Sequence, residues 1–419
     1  MGFRYGFVYE TIKQIFKIFH LDKLDGKNGK MFLDFSLIRA VEPASKRESQ
    51  KLLLSLFGIN YDLTDIYRSL ISFAQFKDSI EEKLIVFAKN QLGFDFNFVL
   101  YDITTLYFET FTDDDFRKCG FSKDNKIGQP QILVGLIVNK DGFPLSFAVF
   151  KGNKFEGHTL ISTILEFKKK HRIPTLTIVA DAAMISNENV QALKLACLSY
   201  IVGARLGNMT LPMVSQISQR LKTADGSTIR LKTNDGFLIC SFSTKRYVKD
   251  KHEMEKQIEK AKLILEGRRE TKRNKFLTKD GNIKYSLNAN LVEKTKLLLG
   301  IKGYHTDLSL PDKIIIERYN DLWNVEKAFR ISKNDLSMRP IYHFKKQSIV
   351  AHILICIVAL ATLKFMEIKT RKSAKHVMEK LKSVSDAHIL NTVTGRETYM
   401  RSEVTEEIKQ LLQKMGLPH

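Results

Sequence analysis

The order of strand-like and helix-like segments between residues 97 and 204 most restricts the fold that this chain can adopt. Three short apolar runs come first, and a turn signal at Lys140-Asp141-Gly142 separates the second from the third. A helix, a strand, a second helix and a further strand then follow. The segments are, in order, 97–102, 131–139, 143–150, 157–171, 175–180, 187–198 and 199–204. This order predicts a mixed sheet, in which an antiparallel meander precedes strands that are joined by helices.

Two aspartates follow strand-like runs in this region. Asp102 ends the run NFVLYD, and Asp181 comes directly after TLTIVA. The order of segments is that of a ribonuclease H-like core, in which the first and fourth strands are neighbours, so we expect the two carboxylates to meet. An unpaired carboxylate is costly next to a buried strand. Because such an acid is also common as a helix cap or turn residue, the spacing alone leaves a structural role open.

The prediction for the whole chain is an α/β fold with a ribonuclease H-like catalytic core, built on a mixed five-stranded sheet with helices. A mainly β insertion interrupts the core, and a helical region precedes it. The predicted regions are a helical N-terminal DNA-binding region at 1–92, expected to be shortened; the first part of the core at 93–204; an insertion subdomain at 205–312; the second part of the core, with the helix of Glu326, at 313–370; and a helical tail at 371–419.

One long apolar segment, Ser348 to Phe365, needs a test against a membrane span. Its apolar part, from Ile349 to Leu363, is interrupted by His352 and is shorter than the roughly 20 residues that cross a bilayer. We therefore predict a helix at 344–366 that is buried in the protein, and no membrane partner.

The chain is strongly basic, with a net charge of +21 over 419 residues and a pI near 9.6. An excess of this size attracts a polyanion, and nucleic acid is the commonest one. A general bias towards lysine accounts for part of the charge. The four cysteines have no paired spacing, which argues against a disulfide framework or a zinc site and fits a reducing cytosol.

Residues Tyr319, Glu326 and Lys333 recur at intervals of seven in an amphipathic helical pattern. Seven residues are almost two helical turns, so the three side chains would form one stripe if the helix persists. Arg330, four residues after Glu326, would border the same face. A carboxylate among a phenol and cations suits a phosphodiester site. Trp323 is a candidate for base stacking, although a tryptophan on an apolar helix face is more often part of the core.

Three carboxylates in a basic chain suggest metal-dependent chemistry on DNA. Cleavage of a phosphodiester needs an activated water or hydroxyl and a stabilised leaving oxygen, and two Mg²⁺ ions supply both. Mg²⁺ prefers hard oxygen ligands and keeps several waters, so Asp102, Asp181 and Glu326 would suffice as ligands. We expect Mn²⁺ to substitute for Mg²⁺.

Several motifs in order resemble the DDE transposases of bacterial insertion sequences. The signature of one group in the insertion-sequence-four superfamily, Tyr-x2-Arg-x3-Glu-x6-Lys, appears here with Leu322 in place of the arginine. LYDITTLYFE and VADAAMIS match the two aspartate motifs, and GFSKDNKIGQPQILVGLIVNKDGFPLSFAVFKGN resembles the segment that follows the first. KRYVKDKHEMEKQIEKA resembles part of the insertion. The resemblance covers residues from about 30 to 415.

This resemblance implies that Asp102, Asp181 and Glu326 bind the catalytic metals and that Tyr319 and Lys333 contact the DNA backbone. The contact made by the missing arginine would be absent or supplied by another residue, such as Arg330. Relatives often carry a further N-terminal segment, so a shortened and poorly binding copy is expected if that segment recognises the DNA ends.

The function expected from these features is cut-and-paste transposition of an insertion sequence. Its partners would be the inverted-repeat ends and the target, both double-stranded DNA, bound by a homodimer that assembles on DNA. We expect a cytoplasmic bacterial protein that joins the nucleoid when it binds DNA. Two alternatives stay open: a ribonuclease H-like DNA nuclease without joining activity, and a non-catalytic DNA-binding remnant of a decayed element.

Overall fold

The computed structural model describes residues 3–24, 26–120, 128–184, 186–268, 274–280 and 284–418. Residues 121–127 of the segment after the first aspartate motif, and Ile185 of the second motif, lie outside the described residues. The chain forms two compact units. The first unit comprises Met1–Leu176 and Asp321–His419, and the second comprises Thr177–Asn320.

Helices form most of the N-terminal part of the first unit, as the apolar periodicity predicts. Within this region, the segment 65–92 is not one continuous helix. It is divided by a 3₁₀ turn at Ala74–Phe76, which lets the rings of Phe73 and Phe76 both pack against Phe32, with centroids 5.5 and 5.7 Å away. After a short strand, β1 (Phe3–Arg4), the helices are α1 (Gly6–Ile18), α2 (Gly26–Val41), α3 (Lys46–Phe57), α4 (Leu63–Phe73) and α5 (Lys77–Leu92).

The predicted meander is present in the first unit. Its strands β2 (Phe98–Tyr107), β3 (Gln131–Val138) and β4 (Pro144–Lys151) pair antiparallel in chain order. Every residue of β3 is buried, as expected for a central strand. Gly142 has a φ of +79°, which glycine adopts without steric cost, in the predicted turn between β3 and β4. Helix α6 (Gly157–Lys170) follows and packs on β3 and β4.

Further helices of the first unit follow the second unit in sequence. Helix α12 (Trp323–Arg330) packs on β2 and β3, and α13 (Lys346–Thr370) packs on α2 and α4. Among the described residues, α13 is the helix that is long and apolar enough to cross a membrane, but 94% of its most apolar window is buried inside the protein. The prediction of a buried helix is therefore confirmed.

The C-terminal tail, predicted to be helical, is only partly so. Between two helices it contains a hairpin, whose first strand also pairs with β1. The turn is made by Asn391, whose side chain accepts the N–H groups of Val393 and Thr394, and by Gly395 at a φ of +66°. This asparagine–glycine turn chemistry overrides helix propensity. The elements are α14 (Ala374–Ser383), β12 (Asp386–Leu390), β13 (Glu397–Arg401) and α15 (Glu406–Lys414).

The second unit contains the strand–helix–strand alternation that the sequence predicts. Strands β5 (Thr177–Ala180) and β6 (Ser199–Ala204) are parallel, and α7 (Asn187–Leu195) connects them. The chain thus has the mixed α/β architecture and the element order of a ribonuclease H-like core.

The sequence pattern suggested an insertion subdomain, but the insertion does not form a fold of its own. Within the second unit its strands extend the sheet from β6, in the order β5-β6-β11-β8-β7, because β11 pairs antiparallel with both β6 and β8. Pairing with β11 satisfies the backbone groups that β6 would otherwise expose. The strands of this extension are β7 (Thr228–Thr233), β8 (Gly236–Phe242) and β11 (Ile301–Thr306).

The insertion is also mixed rather than mainly β. In the described part of the insertion, helices and a two-stranded ribbon accompany the strands, and helix α11 (Asp312–Asn320), which follows β11, packs against β5, β6 and β11. The remaining elements are α8 (Leu211–Arg220), α9 (Thr244–Leu265), β9 (Leu277–Asp280), β10 (Lys284–Leu287), α10 (Ala289–Leu297) and α11 (Asp312–Asn320).

Candidate active site

Asp102 lies within β2 rather than at its end, which corrects the prediction from sequence. The strand continues to Tyr107, and Asp102 is paired across to Leu136 of β3. Its side chain is partly exposed, and its Oδ1 accepts the N–H of Ile103 at 2.7 Å. The longer strand arises because the β-branched and apolar residues after Asp102 continue to pair with β3.

The neighbour of Asp102, Tyr101, anchors the opposite face of β2. Tyr101 is fully buried, and its hydroxyl lies 3.1 Å from Oγ1 of Thr159 on α6. Burial raises the pKa of Tyr101 to about 12. The ring occupies space left by Gly135, where an added Cβ would be 2.5 Å from the tyrosine hydroxyl. A glycine inside an apolar strand signals such a close approach, and the sequence QILVGLIV contained that signal.

Glu326 lies on the exposed face of α12. The opposite face of this helix is buried through Val325, Ala328 and Phe329, which explains why α12 packs against β2 and β3. Trp323 and Arg330 are three residues before and four residues after Glu326 and are also exposed, so all three share one face.

The exposure of individual residues on α12 decides two points that the sequence left open. Trp323 is 53% exposed, so it is not a core residue. Leu322, in the position of the signature arginine, is only 5% exposed and cannot present a polar group to a ligand. Arg330, in contrast, is exposed on the same helix as Glu326.

The single helix that was predicted to carry Tyr319, Glu326 and Lys333 does not persist across the three residues. Helix α11 ends at Asn320 and α12 begins at Trp323. Asn320 and Asp321 have low helix propensity, and the N–H of Asn324 bonds to the carbonyl of Asp321 in a tight turn. Lys333 follows α12 in a π-helical turn, Ile331–Asp335, and is partly buried. Tyr319 thus belongs to the second unit, and Glu326 and Lys333 belong to the first.

A charged cluster fixes α12 to α13. Glu367 on α13 accepts from Lys327 of α12 and from Lys364, with Nζ to Oε2 distances of 3.0 Å to each. Burial alone would raise the pKa of Glu367, but the two ammonium groups outweigh it and lower that pKa. Burial lowers the pKa of Lys364. The carboxylate of Glu367, which this lysine shares with Lys327, offsets only part of that effect. At the start of α12, Asn324 Nδ2 donates to the carbonyl of Lys140, 2.7 Å away, in the β3–β4 turn.

In the second unit, Asp181 immediately follows β5 and is exposed. Its Oδ1 accepts the N–H of Ala182 at 2.7 Å, which repeats the local geometry of Asp102. The hydroxyl of Tyr319 also donates to this oxygen, at 3.3 Å. Tyr319 is only 7% exposed, so its ring is fixed in the unit and its hydroxyl is directed at the carboxylate.

Three residues that the sequence did not single out hold Tyr319. Tyr304 of β11 packs edge-on against it, with ring centroids 5.0 Å apart, and the Lys302 ammonium lies 4.4 Å from the ring centroid. Gly203 of β6 makes room, since an added Cβ would be 2.5 Å from the Tyr319 hydroxyl. Only Gly203 had a signal in the sequence, as a glycine within a strand.

The donor chemistry of the predicted ligands fits Mg²⁺. All are carboxylates, the hard oxygen donors that this ion prefers, and none of the three is fully buried. Within either unit, the described residues contain no group of three His, Cys, Asp or Glu side chains close enough to hold a metal ion. Asp102 and Glu326 belong to the first unit, and Asp181 to the second. The four cysteines are free and two are buried.

Comparison with known proteins places these acids in a family. No curated protein matches the chain. Among solved structures, it is similar to a piggyBac transposase synaptic complex with hairpin DNA, determined by cryo-EM, at 10% identity and a TM-score of 0.44, over 86% of this chain and 72% of that one. The family model for the transposase DDE domain matches residues 94–362, which include Asp102, Asp181 and Glu326. Because this match spans more than half of the chain, the protein belongs to the transposase DDE domain family.

Proposed function

We propose that this chain is the transposase of an insertion sequence, which cuts double-stranded DNA at the transposon ends and joins the released 3′ ends to target DNA by a cut-and-paste route. The observation that carries this proposal is the family match across residues 94–362, which contains the three predicted acids in order. The net charge of +21 supports a polyanionic partner.

In this proposal Asp102, Asp181 and Glu326 together hold the metal ions. Two bound Mg²⁺ ions, or Mn²⁺ in their place, would activate the attacking water or hydroxyl and stabilise the leaving oxygen. The local geometry supports such a role, because the N–H of the following residue orients Oδ1 in both aspartates. A carboxylate that is already oriented loses less conformational freedom when a metal ion binds to it.

Two of the proposed DNA contacts lie beside Glu326. Arg330 and Trp323 share the exposed face of α12 with Glu326, so the arginine can bond a phosphate and the indole can stack on a base. Lys333 follows on the same helical segment. Tyr319 would act mainly through the orientation of Asp181, since its ring is nearly buried. We further propose that two copies assemble on DNA, because both transposon ends must be held for joining.

The decisive test is a cleavage and strand-transfer assay in Mg²⁺, with duplexes made from the DNA that flanks the gene. We expect nicked ends with 3′ hydroxyls and a joined product. Asp181→Asn and Glu326→Gln should each lower the cleavage rate by at least about a thousandfold, as expected when a metal ligand of a phosphoryl-transfer site is lost. The matched control is Glu379→Gln on α14, an exposed acid whose side chain is 63% accessible.

Each alternative predicts a different outcome. Cleavage without any joined product, even from a supplied 3′-hydroxyl end, would establish the nuclease. Equal inactivity of the wild type and both variants, with DNA binding intact, would establish the non-catalytic DNA-binding protein.

A further inference from the structure

A cavity of about 530 Å³ in the first unit is lined by basic side chains. It lies where the end of α2 and the start of α3 meet the loop after α12 and the first half of α13. No carboxylate is among its lining residues, and Asp102 and Glu326 do not line it. Its basic lining residues are Arg39, Lys46, Arg339, His343 and His352.

Lys46 is the most unusual member of this group. It is 4% exposed, and its Nζ lies 3.5 Å from Nδ1 of His352. His352 Nε2 lies 3.0 Å from the carbonyl of Met338, so the tautomer with hydrogen on Nε2 donates there and leaves Nδ1 to accept from the ammonium. Within the described residues no ion pair joins Lys46 to a carboxylate. A buried ammonium without an anion is costly, so its charged form would be stabilised by an anion that enters the cavity.

The cavity wall is built to persist without a ligand. Arg39 is 3% exposed, and its Nη1 lies 3.4 Å from the Leu336 carbonyl and 3.5 Å from that of Ser337, which holds the loop over the cavity. Helix α3, of 12 residues, begins at Lys46 and is capped by Ser45, which also lines the cavity. The N-terminal end of a helix adds to the attraction for an anion.

We propose that this cavity binds a phosphate group, with Lys46 as its main charged contact and Arg339 and His343 beside it. Phosphate supplies several strong acceptor oxygens, which can take charge-assisted hydrogen bonds from more than one of these donors. Such a site goes beyond the proposed metal ligands, since it uses residues from the N-terminal helices and from α13.

The protonation of the cavity supports this assignment. Burial, aided by repulsion from Arg39, lowers the pKa of Lys46 to about 7. Burial also lowers the pKa of His343 to about 4 and that of His352 well below its usual value. Burial raises the pKa of the Cys356 thiol, the facing group on α13. Near neutral pH the histidines and the thiol are therefore neutral, and Lys46 is the group whose charge changes.

The test is isothermal titration of the full chain with inorganic phosphate and, separately, with sulfate. The titrations are made at pH values of about 6 and 9, which bracket the pKa of Lys46. Sulfate keeps the same charge over this range, so any pH dependence of its binding comes from the protein. We expect saturable binding of both anions near pH 6. For sulfate, binding should weaken as the pH rises through about 7, because Lys46 loses its proton.

Substitutions at the cavity make the test specific. Lys46→Met should weaken binding by at least about tenfold, the effect of losing one charge-assisted contact. Lys46→Arg should retain sulfate binding at alkaline pH, since arginine stays charged. His343→Glu places a carboxylate in the cavity and should abolish binding, which keeps the test valid if Lys46→Met does not fold. The control is Lys375→Gln, at a side chain that is 86% exposed.

The absence of saturable phosphate and sulfate binding by the wild type would overturn the proposal. Equal affinities in Lys46→Met and Lys375→Gln would do so as well. Short duplex DNA distinguishes the source of the phosphate. If a DNA backbone phosphate occupies the cavity, saturating DNA should abolish sulfate binding and Lys46→Met should weaken DNA binding; if free phosphate does, both should be unaffected. These measurements need no cleavage activity, so they are independent of the proposed function.

Discussion

The Tyr319 hydroxyl donates a hydrogen bond to Oδ1 of Asp181 at 3.3 Å, across 138 positions of sequence. Asp181 is exposed at the end of β5, so its carboxylate is oriented by this bond and by the N–H of Ala182 rather than by burial. The tyrosine is itself fixed by Tyr304 and Lys302. The second unit thus supplies a carboxylate whose direction is set by the end of α11.

Removal of that hydroxyl tests its role. We expect Tyr319→Phe to lower the single-turnover cleavage rate by about tenfold, because a bond to a carboxylate contributes roughly 1–2 kcal/mol. The free energy of unfolding should fall by no more than about 1–2 kcal/mol, the contribution of the same bond, since the ring packing is kept. Tyr285→Phe, at an exposed tyrosine of β10, is the control. An unchanged rate would show that the bond has no part in the reaction.

A methyl group at Gly203 should displace Tyr319. The added Cβ would be 2.5 Å from the Tyr319 hydroxyl, closer than atoms approach without a shift. We therefore expect Gly203→Ala to lower the free energy of unfolding by about 1–3 kcal/mol, the usual cost of overpacking, and to slow cleavage. Denaturant titration gives the first quantity. Gly207→Ala is a matched control, because nothing lies within 4 Å of its added Cβ, and it should leave both quantities unchanged.

The exposed face of α12 should contribute to DNA binding. We expect Arg330→Gln to weaken binding and to reduce the slope of log affinity against log salt concentration by about one, the value for one lost phosphate contact. Stability should be unaffected, because Arg330 is exposed. Fluorescence anisotropy with labelled duplex DNA at several salt concentrations measures the slope. Lys409→Gln on α15 should change it less, and equal slopes for both variants would contradict the assignment.

The Glu367 cluster should make stability depend on acid pH. The pKa of Glu367 is lower in the folded chain than its usual value near 4.5, so its contribution is complete above that value and is lost as the pH falls through the folded pKa. We expect Glu367→Gln to cost roughly 3 kcal/mol at pH 7, since it leaves Lys327 and Lys364 without their carboxylate. The difference from the wild type should shrink below about pH 4.5.

Denaturant titrations at neutral and acidic pH check this dependence. Glu379→Gln, an exposed acid on α14, is the control and should show little effect at either pH. A destabilisation by Glu367→Gln that stays constant down to strongly acidic pH would contradict an electrostatic origin.

Local patterns in the sequence predicted most elements of the fold. The meander with its turn at Gly142, the strand–helix–strand of β5, α7 and β6, and the buried helix α13 follow from apolar periodicity and turn residues. The hairpin in the tail was missed because its turn is short and its strands are exposed. The insertion was misread because strand pairing with β6 leaves no mark in the spacing of residues.

The sequence by itself determined the family and the chemical character of the chain, since both depend on ordered motifs and on charge. The tertiary structure decided which side chains act together. The seven-residue spacing of Tyr319 and Glu326 suggested one helix, but α11 ends at Asn320, and the Tyr319 hydroxyl donates to Asp181. Lys46 and His352 meet across 306 positions to form a cationic cavity. Such contacts depend on how distant elements pack, and local periodicity does not encode them.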